Sequence, residues 1–474
     1  MSKLRICCVA LLCLILVAGM SAQAPSPAKP AAKSGAKISA TAQPGTAAKL
    51  IPIQQYKLKN GLRVVLSPDH SAPTYAINVT YNVGSRDERV GRTGFAHLFE
   101  HMMFQGSQNI GKGEHMILVA NNGGSMNGST NQDRTNYFEA LPSNQLDLGL
   151  FLESDRMKSL AITQANLDNQ RNAVQEERRL NYDNQPYGKT FETLQETAYD
   201  NFAYKHDTIG SMKDLDAATL EDVQQFFKTY YAPNNAVLTL VGDFDPKVAM
   251  AKIEKYFGGI PAQPAPKPVD MTEPAQTAER RATLDDNFAQ LPRIDIAFKT
   301  VPGNTPDWYA VDVMTRILGG GQSSRLYQKL VKEKELAINA GAFNMSNRGT
   351  SLAIISVTAR PGKDLAEIEK AVYEEIDRLQ NEPVSAAEMK KTLMQIRARS
   401  IQQKQTTLGR ANQIGIYSVY FGDPNLINTQ EAKYAAVTPA QVQAVAKKFF
   451  APTERTVVTT LPKSAAANAA KSGM

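Results

Sequence analysis

The chain has 474 residues, 42% of them hydrophobic and 21% charged, with a formal net charge of +7. This composition excludes a wholly disordered chain and a collagen-like fibre, and three cysteines are too few for a disulfide scaffold. Eight basic residues with no acid among them lie in 1–50 and 463–474, so 51–462 carries about −1, which excludes a global nucleic-acid footprint on the folded part.

Lys3 and Arg5 precede an apolar run from Ile6 to Ala18 and the small residues Gly19, Ser21, Ala22 and Ala24. The run is shorter than the ~20 residues of a membrane span, so it predicts a signal peptide over 1–22 and no stable membrane anchor. Cys7, Cys8 and Cys13 all fall inside it, so the mature chain has no cysteine. Export follows, with the periplasm as the expected address and the extracellular space as the alternative. Residues 23–50 read as a flexible Ala/Pro/Lys leader.

An Asn60-Gly61 turn opens strand-like residues 61–66, and alternating residues 75–83 predict a second strand. Helical segments are expected over Leu146–Leu160, Ala165–Asn181 and Ala366–Leu379, with strands over Arg293–Phe298 and Leu352–Thr358. Residues 219–240 and 438–459 repeat one pattern at an offset of 219. Thr219/Thr438, Val223/Val442, Gln224/Gln443, Lys228/Lys447, Ala232/Ala451 and Pro233/Pro452 are identical. Each copy reads as a Thr cap, an amphipathic helix, an aromatic pair, an Ala-Pro stop and a β-branched strand. An internal duplication follows: homologous domains over 51–260 and 283–462, a linker over 261–282 and a tail over 463–474. The expected class is α+β. Each domain is an α/β sandwich, an antiparallel or mixed sheet with helices on one face.

All five histidines lie in the first block. Two stand in Gly94-Phe-Ala-His97-Leu-Phe-Glu100-His101-Met-Met-Phe104, a run compatible with helix. His97 and His101 are i and i+4, so one helical face presents both rings to one ion. Glu100 reaches the same cavity without being a ligand. This HxxEH pattern is the reverse of HExxH. A catalytic zinc needs three protein ligands and an open water position, so a third must come from another element. The run 165–181 offers Glu176 and Glu177.

HxxEH followed by Asn172-Ala-Val-x-x-Glu177 resembles the pitrilysin/insulinase family of zinc metallopeptidases. The resemblance extends over 51–462, through Asn60-Gly-Leu-Arg-Val, Gly84-Ser-Arg-Asp-Glu88, Gly123-Gly-Ser-Met-Asn127, Asp133-Arg-Thr-Asn-Tyr137 and Gly319-Gly-Gly-Gln-Ser-Ser-Arg-Leu-Tyr327. The two-domain bacterial members and the mitochondrial processing peptidase subunits are the nearest subgroup. It implies two halves closing a clam-like chamber and one Zn2+ per chain on His97, His101 and Glu177, with Glu100 as catalytic base. Glu176 is the near-miss for the third ligand. Gln170 stands where the family often has another Glu. Residues 123–130 match an edge strand to which a peptide adds, with Asn127, Gly128 and Ser129 as substrate contacts. His115 and His206 are expected to stay outside the ligand set and Tyr137 to belong to the core.

The second block has no histidine. Lys332 and Ile338 stand where active members, or their partners, supply an Arg and a Tyr. Arg325 and Tyr327 are expected to serve structure. The implied activity is a zinc endopeptidase acting on peptides or unfolded segments. The implied association is a homodimer, or a heterodimer with a homologous subunit that supplies the Arg/Tyr pair. A non-catalytic scaffold is the alternative.

Overall fold

The computed structural model describes residues 50–463. The expected signal peptide over 1–22, the leader before Leu50 and the tail after Lys463 lie outside the described residues.

The first half begins with β1 (Gln54–Lys57), β2 (Arg63–Pro68) and β3 (Thr74–Tyr81). Next come α1 (Phe95–Met102), α2 (Glu114–Asn121) and the hairpin of β4 (Ser125–Thr130) and β5 (Thr135–Pro142). Helices α3 (Leu146–Ser159), α4 (Gln164–Arg178), α5 (Thr190–Ala198), α6 (Phe202–Lys205), α7 (Met212–Asp216) and α8 (Leu220–Tyr230) lead to β6 (Ala236–Gly242) and α9 (Pro246–Phe257). The second half has β7 (Arg280–Asp286), β8 (Arg293–Thr300), α10 (Pro306–Gly319), β9 (Ala337–Met345) and β10 (Ser351–Ala359). It ends with α11 (Leu365–Asn381), α12 (Ala386–Lys404), α13 (Thr407–Tyr420), α14 (Leu426–Ala435), α15 (Pro439–Phe449) and β11 (Arg455–Pro462). β7 begins inside the expected linker.

The strands form two mixed sheets, in the orders β1-β2-β6-β3-β5-β4 and β7-β11-β8-β10-β9. Beyond β1 the pairings match step for step. One parallel pair (β2/β6, β7/β11) is followed by three antiparallel pairs. The repeated segment accounts for two elements of each copy. Thr219 and Thr438 open α8 and α15 with reciprocal capping boxes, using Asp222 and Gln441. Pro233 and Pro452 then stop each helix and turn the chain into β6 and β11.

Helices of each half pack on one face of their own sheet. In the first half Leu66, Ile77 and Leu238 join Phe99, Leu150, Val223 and Ile253 in one core. The opposite face is also covered, and by the other half. Ala411 and Ile414 of α13 pack on Val65, Ala76, Val237 and Val241 of the first sheet. Leu194 and Ala198 of α5 pack on Ala297, Leu352, Ile354 and Val458 of the second. This exchange explains why every residue of β6 is buried, as a strand covered on both faces requires.

A polar latch also joins the halves. Asp133, buried in the β4–β5 turn, accepts hydrogen bonds from Arg86 Nη1 (2.8 Å), the Tyr204 hydroxyl (2.9 Å) and the Arg348 backbone N–H (2.9 Å). Among the described residues no helix is long and apolar enough to cross a membrane.

Candidate active site

α1 is an amphipathic helix of eight residues. Phe95, Ala96, Leu98, Phe99 and Met102 are buried, and Phe99 stacks on Phe226 and Tyr231 with ring centroids 5.0 Å away in each case. The polar positions are left on the opposite face. Gly94 precedes the helix at φ 87°, where a Cβ would also meet the Ile209 carbonyl at 2.6 Å. No side chain of Gly94 exists to cap the helix. Instead, Glu88 accepts from the Gly94 N–H (2.9 Å) and the Ala96 N–H (2.8 Å).

His97 and His101 lie one turn apart with ring centroids 4.8 Å apart. The Nε2 atoms of both approach Glu177 Oε2 at 3.2 Å. Glu177 comes from the last turn of α4, just before a π-helical turn over Arg179–Asp183. Burial by itself would raise the Glu177 carboxyl. The hydrogen bonds from His101 and His97 outweigh it and hold the group far below the carboxylate range. Burial likewise disfavours charge on His97, and Glu177 and Glu100 reverse this and raise it.

The set fits a zinc ion. Three ligand atoms of the types zinc prefers lie within 4.8 Å of one another. The 3.2 Å separations match the ~3.3 Å edge of a tetrahedron with bonds near ~2.05 Å. Glu100 lies beside the set, with Oε2 3.8 Å from His97 Nδ1. Glu176 points elsewhere, is exposed and pairs with Arg179. The Gln170 amide donates to Asn169.

β4 is the edge strand of the first sheet, and its register decides which backbone groups face away from β5. The Asn131 N–H donates to the Arg134 carbonyl, and hydrogen-bonded pairs alternate from there. Asn127 and Ser129 therefore bond inward to Phe138 and Asn136. Met126, Gly128 and Thr130 turn their N–H and C=O outward. Ser129 Oγ donates to Asn136 on the face that meets Asn412 of α13, and alternation puts Asn127 on that face too. Of the three expected contacts, Gly128 is buried and turns its backbone away from β5 and its α-carbon towards Glu100, Asn127 is exposed and Ser129 is half-buried. Its N–H is held by Asn127 Oδ1 at 2.8 Å. A Cβ on Gly128 would stand 2.9 Å from Glu100 Cγ, so the strand passes Glu100 as closely as it does only with glycine. Gly128→Ala is expected to displace the Glu100 side chain, read by comparing crystal structures of the variant and the parent.

A second buried cluster has a different character. His115 Nε2 lies 3.3 Å from Glu139 Oε2, and Glu153 stands next to them. Arg156 occupies both oxygens of Glu153 and stacks 4.6 Å over the Tyr137 ring. A cation added beside that guanidinium would leave the core with excess positive charge, so this set does not fit a metal. Burial holds His115 neutral, with its pKa lowered to about 3, and pushes Glu139 up to about 8. Folded Glu139 therefore keeps a proton that the unfolded chain releases above about 4.5. Its contribution to stability is full below that value and is lost as pH rises through about 8, at up to ~1.4 kcal/mol per unit. Glu139→Gln is expected to gain Tm relative to the parent between pH 5 and 8, measured by thermal melts.

Tyr137 is fully buried and donates to the Phe99 carbonyl (3.2 Å). Arg325 pairs with Glu388, which caps α12. Lys332 lies in a π-helical turn over Tyr327–Glu333, and both it and Ile338 on the edge strand β9 are exposed. Reasoning from the sequence did not find the capping role of Glu88, although it stands in the Gly84–Glu88 motif.

Residues 63–211 match the family model described as Insulinase (Peptidase family M16), and 217–396 match Peptidase M16 inactive domain. The chain is 30% identical over 405 residues to the zinc protease PqqE of Helicobacter pylori, covering 85% of this chain and 91% of that protein. It is 25% identical over 405 residues to a probable mitochondrial-processing peptidase subunit beta of Arabidopsis thaliana, covering 83% and 75%. The crystal structure of a protease from Helicobacter pylori superposes with a TM-score of 0.84 at 29% identity, over 87% of this chain and all of that one. The first half of the periplasmic protease PqqL from Escherichia coli shares the fold, with a TM-score of 0.72 at 19% identity over 89% and 95%.

Proposed function

The chain belongs to the M16 (insulinase) family of peptidases, and from that premise we propose that it is an exported zinc endopeptidase acting on peptides or unfolded protein segments. The observation that carries this reading is the meeting of His97, His101 and Glu177 next to Glu100 and the edge strand β4. A scaffold needs the histidines and Glu177 no more than it needs a free carboxylate at their side.

His97, His101 and Glu177 would hold the ion. What zinc supplies when bound is Lewis acidity, which polarises a carbonyl and makes water a nucleophile near neutral pH. An extended substrate adds to β4 through the outward N–H and C=O groups of Met126, Gly128 and Thr130. For this the Asn127 amide leaves the Gly128 N–H and becomes free to bond the peptide, with Ser129 shaping the face behind it. Glu100 takes a proton from the attacking water and delivers it to the leaving amine nitrogen. The two halves close a chamber that selects by size and flexibility.

The test is cleavage of a mixture of unstructured peptides by the purified mature chain. Loss of cleavage with a chelator and recovery with added zinc are expected. Cleavage that resists metal removal would overturn the reading. A dependence on a second subunit is favoured by one observation: Lys332 and Ile338 leave the usual Arg and Tyr positions without a planar guanidinium or a hydroxyl. On that variant of the proposal the chain carries zinc but turns over slowly until a homologous subunit is added.

A further inference from the structure

His206 lies outside the ligand set, yet both of its ring nitrogens are engaged. Nδ1 faces the Phe202 carbonyl at 3.0 Å. Nε2 faces the Ser85 carbonyl at 3.0 Å and Glu88 Oε2 at 3.0 Å. The ring stacks on Phe202 at 4.3 Å and is largely buried. Every partner within reach is an acceptor. A neutral imidazole has one N–H, so one nitrogen would face carbonyl oxygen with no proton between them. The imidazolium donates from both.

A neutral imidazole beside a protonated Glu88 would turn the lone pair of Nε2 towards the Ser85 carbonyl oxygen at 3.0 Å, with no proton between them. It would also place an uncharged carboxyl at the helix N-terminus, where the N–H groups of Gly94 and Ala96 favour an anion. Burial alone would lower the His206 pKa, and the Glu88 hydrogen bond and charge reverse this and raise it. Burial also raises Glu88. Both directions say that the pair keeps its proton, and the count of donors puts that proton on the ring. No other charged side chain among the described residues lies within hydrogen-bond distance of the ring. The flanking Arg86 turns to Asn82 and Asp133, and Asp87 to the Gly84 N–H.

We propose that His206 and Glu88 are positioning residues for α1: a buried imidazolium–carboxylate pair that clamps the N-terminus of the helix bearing His97, Glu100 and His101. The pair ties together three segments, at Ser85–Glu88, Gly94–Ala96 and Phe202–His206. The set on α1 must keep its register to Glu177 on a separate helix, so a fixed N-terminus is what the geometry of that set requires. The significance of the clamp rests on the peptidase reading, but its existence does not.

The test uses the full mature chain with no metal added, so a failure to bind zinc would sink the peptidase reading without touching either readout. The first readout is the long-range 1H–15N correlation of the histidine side chains at pH 7.5, with His206 assigned by its loss in His206→Gln. Both ring nitrogens protonated is the expected result, and a neutral ring overturns the proposal. The second is amide exchange by mass spectrometry across 94–102 in Glu88→Gln and His206→Gln. Exchange there is expected to quicken tenfold or more, while exchange in β8 and β10 stays unchanged. Rates in α1 within twofold of the parent in both variants would overturn the clamp. Should His206→Gln fail to fold, His206 is assigned by subtraction from single Gln variants of the other four histidines, and its charge state in the parent chain still decides.

Discussion

Glu100→Gln is expected to lower kcat for peptide cleavage about a thousandfold while zinc content and Tm hold. The amide has the shape of the carboxylate but cannot accept a proton at neutral pH. Glu100 is outside the set that meets at Glu177 Oε2, so the variant leaves those three donors in place. Gly128 keeps room over the side chain in either form. The measurement is steady-state cleavage with zinc quantified in the same preparation. More than a tenth of the parent kcat remaining in the zinc-loaded variant would remove Glu100 from the role of base.

Asp133→Ala is expected to cost about 3–5 kcal/mol. The carboxylate is 1% exposed and serves three donors from separate places: Arg86 near the start of α1, Tyr204 on α6 and the Arg348 N–H between β9 and β10. Its removal leaves the buried Arg86 guanidinium with the Asp87 carboxylate at 3.4 Å and the Asn82 side-chain oxygen at 3.0 Å, and leaves the Nη1 donor unpaired by oxygen. It also cuts a carboxylate that ties the β4–β5 turn to the second half. For a chain of this size the loss corresponds to a fall on the order of 5 °C in Tm. Thermal melts of the variant beside Asp133→Asn, which keeps one oxygen acceptor, would read it. An unchanged Tm in Asp133→Ala would show that the latch contributes little.

Some of this architecture is legible in the sequence because it is local. His97 and His101 share a helical face by spacing alone, and helix capping at Thr219 and Thr438 is written in the residues beside them. The choice of Glu177 over Glu176 needed more than spacing. Both lie on α4, and the structure separates them by giving Glu176 to Arg179 and Glu177 to the two imidazoles. Periodicity shows that α5 and α13 have apolar faces, but not that each covers the sheet of the other half. Which strand covers which helix is a long-range matter that no window of sequence contains. The parity of β4 is equally hidden. A shift of one residue would turn Asn127 and Ser129 outward instead of Gly128, and only the Asn131–Arg134 turn decides it. Glu88 and His206 are 118 positions apart, and nothing local marks them as a pair.

Zinc content and peptide cleavage of the parent chain beside Glu177→Gln test the central claim most directly. The account predicts one zinc per chain and cleavage in the parent, with both lost in the variant, because two imidazoles on one helix leave the ion a ligand short. A parent chain that binds no zinc, or a variant that cleaves as fast as the parent, would contradict it.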